Sequence, residues 1–258
     1  MSAASFRLDG KTVLISGAGG GIGRAMVGVF RAAGAKVIGA DREQSQLDGL
    51  DLAGSVLFDQ ANPKATRAAV ERYLADHGVP DAVVANAGFT RAESFEDLND
   101  EVWADELNIN LNGAYAMADP IIAGMAKRGK GSIVFISSVN GLEHYGNPAY
   151  SAAKAGLIAY AKAIAVERGA QGIRANVVAP GSVRTPAWDH RIAADASVLD
   201  NVLPHYPLGR MVDPQEVANA AVFFTSDAAS GISGTVLPVD AGLMAGNLRF
   251  VDDVLRAK

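Results

Sequence analysis

Tyr150 and Lys154 are the two residues of this sequence whose types and spacing most directly suggest acid–base chemistry. Side chains four positions apart lie on one face of a helix, so this pattern places an ammonium beside a phenol. A free tyrosine has a pKa of about 10, and a nearby positive charge favours the phenolate and lowers that pKa. Tyr150 could then exchange a proton with a substrate hydroxyl or carbonyl. The Tyr-x-x-x-Lys pattern is also common by chance, so it needs support from the rest of the chain.

A glycine-rich turn near the start of the chain suggests a nucleotide site. The predicted strand Thr12–Ser16 runs directly into this turn, and a helical segment follows at 24–33. In such a unit, backbone N–H groups and the positive end of the helix can approach a pyrophosphate, which side chains would obstruct. The strict G-x-G-x-x-G spacing does not fit, but G-x-x-x-G-x-G fits Gly17, Gly21 and Gly23. A turn that serves only chain reversal is the alternative, because a lone glycine motif is weak evidence.

Asp41, at the end of the next predicted strand, indicates which dinucleotide would bind. An acidic side chain at this place accepts hydrogen bonds from an adenosine ribose, and its charge repels a 2′-phosphate. The turn at 17–23 contains no lysine or arginine. Arg42 follows directly and could pair with a phosphate, although a solvated surface arginine is the more ordinary interpretation. The sequence therefore predicts NAD in preference to NADP.

Short β-rich runs alternate with longer helical segments along the whole chain. Nearly continuous apolar strands separated by helices indicate a parallel sheet that is covered on both faces. The predicted fold class is α/β, a single-domain, Rossmann-type, doubly wound parallel sheet of about seven strands with helices on both faces. One domain over residues 1–258 is expected, because no repeat or linker interrupts the pattern. The predicted strands cover residues 12–16, 36–40, 55–58, 82–85, 132–136, 175–178 and 235–239.

Composition excludes several classes of function for this chain of 258 residues. The net charge of −5 argues against nucleic-acid binding, and the absence of cysteine excludes disulfides and thiolate chemistry. The first residues lack the apolar stretch of a signal peptide, and no apolar segment is long enough to span a bilayer, so we expect no membrane partner and a cytoplasmic location. No metal site is predicted, because metal-ligand spacing is missing among the four histidines, His77, His144, His190 and His205.

Several short motifs occur together in a characteristic order. They are Gly17-x-x-x-Gly21-x-Gly23, Asn86-Ala87-Gly88, Asn110, Ser138, Tyr150-x-x-x-Lys154 and Pro180-Gly181. In order and approximate spacing the chain resembles the short-chain dehydrogenases/reductases, from about residue 7 to about residue 245. This resemblance implies an oxidoreductase that transfers a hydride between NAD(H) and a secondary alcohol or its carbonyl, with Tyr150 as the general acid/base.

The resemblance also implies roles for the catalytic residues. Ser138 would hydrogen-bond the substrate oxygen on which charge develops, and Asn110 would hold a water that links Lys154 to solvent. The neighbouring Asn108, Asn112 and Ser137 are alternatives that the family pattern disfavours. The segment between Ser138 and Tyr150 is one residue shorter than in most members, which leaves the conformation of this loop open. The predicted catalytic residues are Asn110, Ser138, Tyr150 and Lys154.

Cofactor contacts follow from the same resemblance. Asn86-Ala87-Gly88 would line the adenosine side, Asp59 would contact the adenine amino group, and Thr185 would reach the carboxamide or a phosphate. A plain tight turn is the alternative for Pro180-Gly181. The predicted cofactor-binding residues are Gly17, Gly21, Ile22, Gly23, Asp41, Arg42, Asp59, Gln60, Asn86, Ala87, Gly88, Tyr150, Lys154, Pro180, Gly181, Val183 and Thr185.

The sequence says less about the substrate. Residues 182–211 are expected to form a lid over the pocket. Polar residues between the catalytic serine and tyrosine favour a small polar substrate such as a sugar or polyol. The alternatives are a reductase of a 3-oxoacyl compound or another apolar ketone, an epimerase or dehydratase, and a non-catalytic nucleotide-sensing protein. The predicted substrate contacts are Ser138, Asn140, His144 and Tyr150.

Two apolar segments predict self-association. The alanine-rich helix over residues 149–167 is apolar nearly all round, and a sheet can cover only one of its faces. The tail at 231–250 stays largely apolar after the sheet should be complete. We expect a homotetramer with two-fold symmetry. The alternative is that other helices of the same chain cover both surfaces.

Overall fold

A seven-stranded parallel sheet forms the centre of the computed structural model, which describes residues 6–256. The strand order is β3-β2-β1-β4-β5-β6-β7, and every neighbouring pair is parallel. This confirms the predicted fold class. The strands are β1 Thr12–Ser16, β2 Lys36–Asp41, β3 Gly54–Leu57, β4 Ala82–Ala85, β5 Gly131–Ile136, β6 Ile173–Pro180 and β7 Val236–Val239.

Helices cover both faces of this sheet. A π-helical turn, Asn108–Asn112, joins α4 to α5 without a break in the chain direction. The α-helices are α1 Gly21–Ala32, α2 Gln44–Leu47, α3 Pro63–His77, α4 Asp100–Leu107, α5 Gly113–Arg128, α6 Pro148–Arg168, α7 Pro186–Ala194, α8 Val198–Val202, α9 Pro214–Thr225 and α10 Leu248–Phe250.

The alternation of side chains along each strand divides the core into two layers. Val13 and Ile15 of β1 pack on one face, with α1 and α9, whereas Leu14 packs on the other face, with α3, α5 and α6. The central strands are buried on both faces, which explains why they read as continuous apolar runs. The strand ends at which the candidate site is built therefore belong to a well-packed sheet.

Helix caps occur where the sequence indicates them. The Asn62 side chain accepts a hydrogen bond from the backbone N–H of Ala65 at 3.1 Å, and Pro63 begins α3. Asp213 and Glu216 form a capping box at the start of α9. Hydrogen bonding to Arg210 holds the pKa of Glu216 well below its usual range, at about 2.

Helix α6 buries one face and exposes another. Its longer apolar side chains pack under the sheet, including Leu157, Ile158 and Ile164. Some of its alanines are buried with them, including Ala153 and Ala161, others lie on the outside, and Val166 is 82% exposed. The exposed stripe consists of Ala152, Ala155, Ala159, Lys162, Ala163 and Val166, so it is apolar apart from one lysine. Within residues 6–256, no other part of the chain covers this stripe.

The predicted lid, residues 182–211, is built from short helices. It contains α7 and α8, and its base is fixed by a hydrogen bond from the Ser182 backbone N–H to the Tyr206 hydroxyl at 2.9 Å. The guanidinium of Arg191, in α7, lies 3.6 Å from the carboxylate of Glu93, in the segment that follows β4. The structure also shows, for the residues it describes, no helix long and apolar enough to cross a membrane.

Candidate active site

A cleft of about 850 Å³ opens at the carboxyl ends of the central strands. It lies where the chain reverses direction across the sheet, between β1 and β4, which is where open α/β sheets bind ligands. Most of the predicted cofactor-binding residues line it. They are Gly17, Gly21, Ile22, Gly23, Asp41, Arg42, Asp59, Gln60, Asn86, Ala87, Gly88 and Thr185.

Close contacts with neighbouring backbone atoms require glycine in this turn. Gly17 has a φ of +63°, in the left-handed region that favours glycine, and a Cβ there would lie 2.9 Å from the Cα of Ala87. A Cβ on Gly23 would lie 2.0 Å from the carbonyl oxygen of Gly17. Gly20, the N-cap of α1, has no side chain to cap the helix. The first N–H groups of α1 are therefore available to an anion, which fits the pyrophosphate of a dinucleotide.

Asp41 lies in the cleft with its carboxylate already oriented. One oxygen accepts a hydrogen bond from the Gly19 N–H at 2.9 Å, and the other accepts from the Arg42 N–H at 2.8 Å. The Arg42 side chain is 60% exposed, and its guanidinium lies 3.4 Å from the carboxylate of Glu43. This geometry fits a ribose-binding carboxylate beside a solvated arginine.

Gln60 connects the cofactor cleft with the helix that carries Asn110. Its side-chain amide donates to the carbonyl oxygens of Ala87 at 3.1 Å and Ile109 at 2.7 Å. Its Oε1 atom is the buried side-chain polar atom of residues 6–256 that lacks a hydrogen-bond partner. An unpartnered buried acceptor costs about 1–3 kcal/mol. We therefore expect a donor from outside the chain to complete this wall of the cleft, as a bound dinucleotide would.

The four predicted catalytic residues gather at one end of the cleft. Ser138 follows β5, Tyr150 and Lys154 lie on α6, and Asn110 lies in the π-helical turn. The Lys154 Nζ atom lies 5.3 Å from the centre of the Tyr150 ring and donates to the Ile136 carbonyl oxygen at 2.9 Å. A Cβ on Gly88 would lie 2.8 Å from the Asn110 Oδ1 atom and 3.0 Å from Lys154 Nζ. Asn110 and Lys154 therefore meet at a glycine that also lines the cofactor cleft.

The structure distinguishes the predicted catalytic residues from their neighbours in sequence. The Asn110 side chain is fully buried and donates to the Phe89 carbonyl oxygen at 2.7 Å. Asn112 and Asn108 instead bond to each other at the surface, at 2.9 Å. The Ser137 hydroxyl is buried and donates to the Lys154 carbonyl oxygen at 2.9 Å. These contacts favour Asn110 and Ser138 over the alternatives.

Burial dominates the ionisation of the Tyr150–Lys154 pair. It raises the pKa of Tyr150 to about 12, although the Ser138 hydroxyl acts in the opposite direction. It lowers the pKa of Lys154 to about 8, against the influence of the nearby Glu106 carboxylate. The net direction for Tyr150 is thus opposite to the one expected from a neighbouring ammonium. The chain's own groups hold the phenol in its protonated form, as a proton donor.

Asn140, a predicted substrate contact, is tied into its own loop. Its amide donates to the Gly146 carbonyl oxygen at 2.9 Å and to the Ser151 hydroxyl at 3.3 Å. Its backbone N–H donates to the Ser138 hydroxyl oxygen at 3.2 Å. His144 lies exposed at the tip of the same loop. The geometry therefore shows Asn140 holding Ser138, while contact of either residue with a substrate remains a prediction.

The shortened loop closes with an unusual backbone conformation. Asn147 has a φ of +53° immediately before α6. Its side-chain amide donates to the Ala92 carbonyl oxygen at 2.9 Å and to the Thr90 hydroxyl at 3.1 Å. These bonds fix the start of α6, and hence Tyr150, against the segment that follows β4.

Some predicted cofactor contacts lie outside the lining of the cleft. Gly181 donates its N–H to Val239 at 3.0 Å, and Val183 is buried in a bridge with Val212. Pro180, Gly181 and Val183 thus fix the base of the lid, and their contact with a nicotinamide stays a prediction. The cleft lining also includes residues that sequence reasoning did not single out. They are Gly19, Gly20, Ala40, Gln46, Phe58, Phe89, Arg91, Ile109, Pro186 and Ala187.

Among these additional lining residues, only Gly19 and Gly20 had a signal in the sequence, because they belong to the glycine-rich turn. Of the others, Pro186 and Ala187 belong to the lid, and Phe58, Phe89 and Arg91 follow strands. Ala40 lies in β2, Gln46 in α2 and Ile109 in the π-helical turn. In the described part of the chain, no group of three or more histidine, aspartate or glutamate side chains is placed to hold a metal ion.

Comparison with known proteins gives consistent matches over nearly the whole chain. A family model described as enoyl-(acyl carrier protein) reductase matches residues 17–244. A solved oxidoreductase of the short-chain dehydrogenase/reductase family from Burkholderia thailandensis is 41% identical, with a TM-score of 0.88, and the match covers 96% of this chain and 98% of that one.

Two further matches differ in what they act on. The 3-oxoacyl-[acyl-carrier-protein] reductase FabG of Thermotoga maritima is 36% identical over 92% of this chain and 99% of its own length. A gluconate 5-dehydrogenase from Burkholderia cenocepacia, solved with NADP and tartrate, is 30% identical, with a TM-score of 0.87, over 95% of this chain and all of that one, 100%.

Proposed function

The chain belongs to the short-chain dehydrogenase/reductase family of oxidoreductases, and from this premise we propose that it transfers a hydride between NAD(H) and a secondary alcohol or its carbonyl, with Tyr150 as the general acid/base. One observation carries the proposal. Asn110 and Lys154 meet at Gly88, a residue that also lines the dinucleotide cleft, and Tyr150 lies beside Lys154. The proton-transfer group and the cofactor site are therefore adjacent.

The chain's own residues account for the movement of the proton. Tyr150 holds a proton that it can donate to the substrate oxygen during reduction and recover during oxidation. The Ser138 hydroxyl, held by Asn140, is placed to hydrogen-bond the same oxygen. A bound nicotinamide cofactor would supply the hydride chemistry and, when oxidised, a positive charge. Lys154 contributes an ammonium that stabilises the phenolate as it forms.

Turnover with a panel of substrates tests this function. The panel contains polyols, aldonic acids, simple ketones and a 3-oxoacyl thioester, each with NAD(H), and NADH is followed by absorbance. We expect turnover with at least one alcohol–ketone pair. If no member of the panel gives turnover while NADH still binds, the non-catalytic nucleotide-sensing alternative gains support. A product whose oxidation level is unchanged would favour an epimerase or dehydratase instead.

We propose a small polar substrate, such as a sugar or polyol. The polar loop between Ser138 and Tyr150 and the similarity to a gluconate 5-dehydrogenase support this choice. The similarity to FabG favours the second candidate, reduction of a 3-oxoacyl compound. The ratio of kcat/KM for the polyol and thioester arms of the panel decides between them. The role of residues 182–211 as a lid, a cytoplasmic location and a single domain over residues 1–258 remain predictions of the sequence.

We predict a preference for NAD over NADP of on the order of tenfold or more in kcat/KM, because Asp41 repels a 2′-phosphate. The arginine nearest to the glycine turn is already engaged, since Arg24 donates to the carbonyl oxygens of Gly19 and Gln46 at 2.9 and 2.6 Å. Replacing Asp41 with alanine should erode the preference, mainly through a lower kcat/KM with NAD. The measurement compares kcat/KM for the two cofactors in both proteins.

Arg42→Ala provides the matched control for the cofactor prediction. If Arg42 is a solvated arginine, its loss leaves both kcat/KM values nearly unchanged. A selective loss of NADP turnover in Arg42→Ala, together with equal use of NAD and NADP by the unmodified protein, would show that Arg42 captures the 2′-phosphate. The NADP bound in the related gluconate 5-dehydrogenase makes this comparison necessary.

We also propose a homotetramer with two-fold symmetry. The exposed stripe on α6 has small side chains that allow a second copy to approach closely. A second apolar surface is exposed at the end of the chain, at Phe250, Val254 and Leu255. Two separate self-complementary surfaces can join four copies.

Sedimentation equilibrium at micromolar concentration is expected to give about four times the chain mass of 26.7 kDa. Ala159→Glu places a charge in the α6 stripe and should reduce this mass at least to that of a dimer. Ala65→Glu, on the exposed surface of α3, is the control and should leave the mass unchanged. A stable monomer of the unmodified protein would contradict the proposal.

A further inference from the structure

A buried carboxylate that the proposed mechanism does not use lies beside the catalytic residues. Glu106, on α4, is only 3% exposed. One of its oxygens accepts a hydrogen bond from the Arg91 backbone N–H at 2.5 Å, and the other accepts from the Asn110 side-chain amide at 3.1 Å. Both oxygens of this side chain therefore accept hydrogen bonds from N–H donors.

Asn110 connects this carboxylate to the buried ammonium of Lys154. The Asn110 amide nitrogen faces Glu106, while its oxygen accepts from the Phe89 N–H at 3.1 Å. That same oxygen and Lys154 Nζ both approach Gly88. Glu106, Asn110 and Lys154 therefore follow one another through the interior, between α4 and α6.

Lys154 needs a counter-charge that it does not receive by direct contact. The side chain is 2% exposed, and in residues 6–256 it forms no ion pair. Its ammonium donates to a carbonyl oxygen, that of Ile136. A buried cation is stable only when a nearby negative charge or strong hydrogen bonds offset the loss of water.

Glu106 is the carboxylate that acts on both members of the proton-transfer pair. It raises the pKa of Lys154, against the effect of burial, and it also raises the pKa of Tyr150. The other charged groups that face it are Arg91, from the segment after β4, and Asp105, from its own helix. Those two pair with each other at the surface, at 2.8 Å, so neither neutralises Glu106.

We propose that Glu106 is a positioning residue of the active site, whose carboxylate fixes the Asn110 side chain and supplies the counter-charge for the buried Lys154 ammonium. The proposal rests on the proposed function, because it assumes that Tyr150 and Lys154 carry the proton transfer. Glu106 acts through them and does not line the dinucleotide cleft.

The pH profile of carbonyl reduction tests this role. Glu106→Gln keeps the shape of the side chain and removes its charge, which lowers the pKa of both Lys154 and Tyr150. Reduction needs both groups protonated, so the loss of kcat at high pH should occur about one pH unit lower in the variant, the size of effect expected from a close charge. NADH affinity, measured by fluorescence titration, should change by less than about threefold.

Asp105→Asn is the matched control for this experiment. It removes a carboxylate from the adjacent position of the same helix, but one that is exposed and paired with Arg91. Its pH profile should coincide with that of the unmodified protein. If Glu106→Gln lowers kcat equally at every pH, or leaves the profile unchanged, Glu106 has at most a structural role and the proposal is wrong.

A double-mutant cycle on thermal stability tests the charge pairing without any substrate. In the unmodified background, Glu106→Gln leaves Lys154 without a counter-charge and should lower Tm. In a Lys154→Met background the same substitution removes a carboxylate that no longer has a cation to balance. It should therefore lower Tm less than in the unmodified background, or raise it. If Glu106→Gln alone does not fold but the double variant does, the pairing is supported. An equal decrease in Tm in both backgrounds, or failure of both the single and the double variant to fold, would contradict the charge pairing.

The two experiments separate failure of this inference from failure of the proposed function. If the unmodified protein shows no turnover with NAD(H) or NADP(H), the proposed function fails, and the stability cycle still reports on Glu106 and Lys154. If Tyr150→Phe is inactive while Glu106→Gln behaves like the unmodified protein in both experiments, the function stands and the role of Glu106 does not.

Discussion

Replacing Tyr150 with phenylalanine should lower kcat by about 10²–10⁴-fold, the contribution expected of a positioned general acid or base. The substitution removes one hydroxyl and leaves the ring that lies 5.3 Å from Lys154 Nζ. Since the ring does not line the dinucleotide cleft, NADH should bind almost as well as before. Single-turnover kinetics and NADH fluorescence titration measure the two effects separately.

Tyr160→Phe is the control for the Tyr150 prediction. Tyr160 lies on the same helix, and its ring packs against Phe135 and Tyr115. Removing its hydroxyl should leave kcat nearly unchanged. If Tyr150→Phe retains more than about one part in a hundred of the original kcat, the proton is transferred by another group and the assignment is wrong.

Gly23→Ala should nearly abolish NADH binding, although it adds only one methyl group. The new Cβ would lie 2.0 Å from the Gly17 carbonyl oxygen and 2.8 Å from the Ala18 Cα. Both are backbone atoms of the same turn, so the turn must open and its N–H groups lose their alignment. Overpacking of this kind costs about 1–3 kcal/mol or more, and the upper end of this range corresponds to on the order of a hundredfold loss of affinity. Fluorescence titration and urea unfolding give the affinity and the free energy of unfolding.

Gly28→Ala on the same helix is the matched control for Gly23. A Cβ at Gly28 has no neighbour within 4 Å. This substitution should therefore stabilise the protein, by up to about 1 kcal/mol, because alanine is the better helix former. Its NADH affinity should not change. A Gly23→Ala protein that binds NADH normally would show that this turn is not the pyrophosphate site.

The strands and the order of the motifs could be predicted because their signals are local. The central strands are buried on both faces, so each appears as a continuous apolar run, and every predicted strand overlaps an observed one. Their ends shift by one or two residues, as at β6, which begins at Ile173 and continues to Pro180. Hydrogen bonding to the neighbouring strands decides these ends, and that depends on the assembled sheet.

The arrangement of the candidate catalytic residues could be predicted for a different reason. A spacing of four on a helix places Tyr150 beside Lys154 whatever surrounds them, and the structure preserves that arrangement. The competition between Asn108, Asn110 and Asn112 could not be decided by spacing. It depends on the π-helical turn, which directs Asn110 into the interior and leaves the other two at the surface.

The sequence by itself determined which chemical groups the chain possesses and the order in which a parallel sheet presents them. The tertiary structure alone decided how these groups ionise and which acidic side chain is buried beside them. Glu101, Asp105 and Glu106 lie close together on one helix and look alike in the sequence, but only Glu106 is buried against Asn110. Likewise, burial raises the pKa of Tyr150, whereas the expected lowering depended on an ammonium together with the positive nicotinamide ring of NAD⁺. The physical reason is that desolvation depends on how many atoms of distant segments surround a group, and residue spacing carries no information about that number.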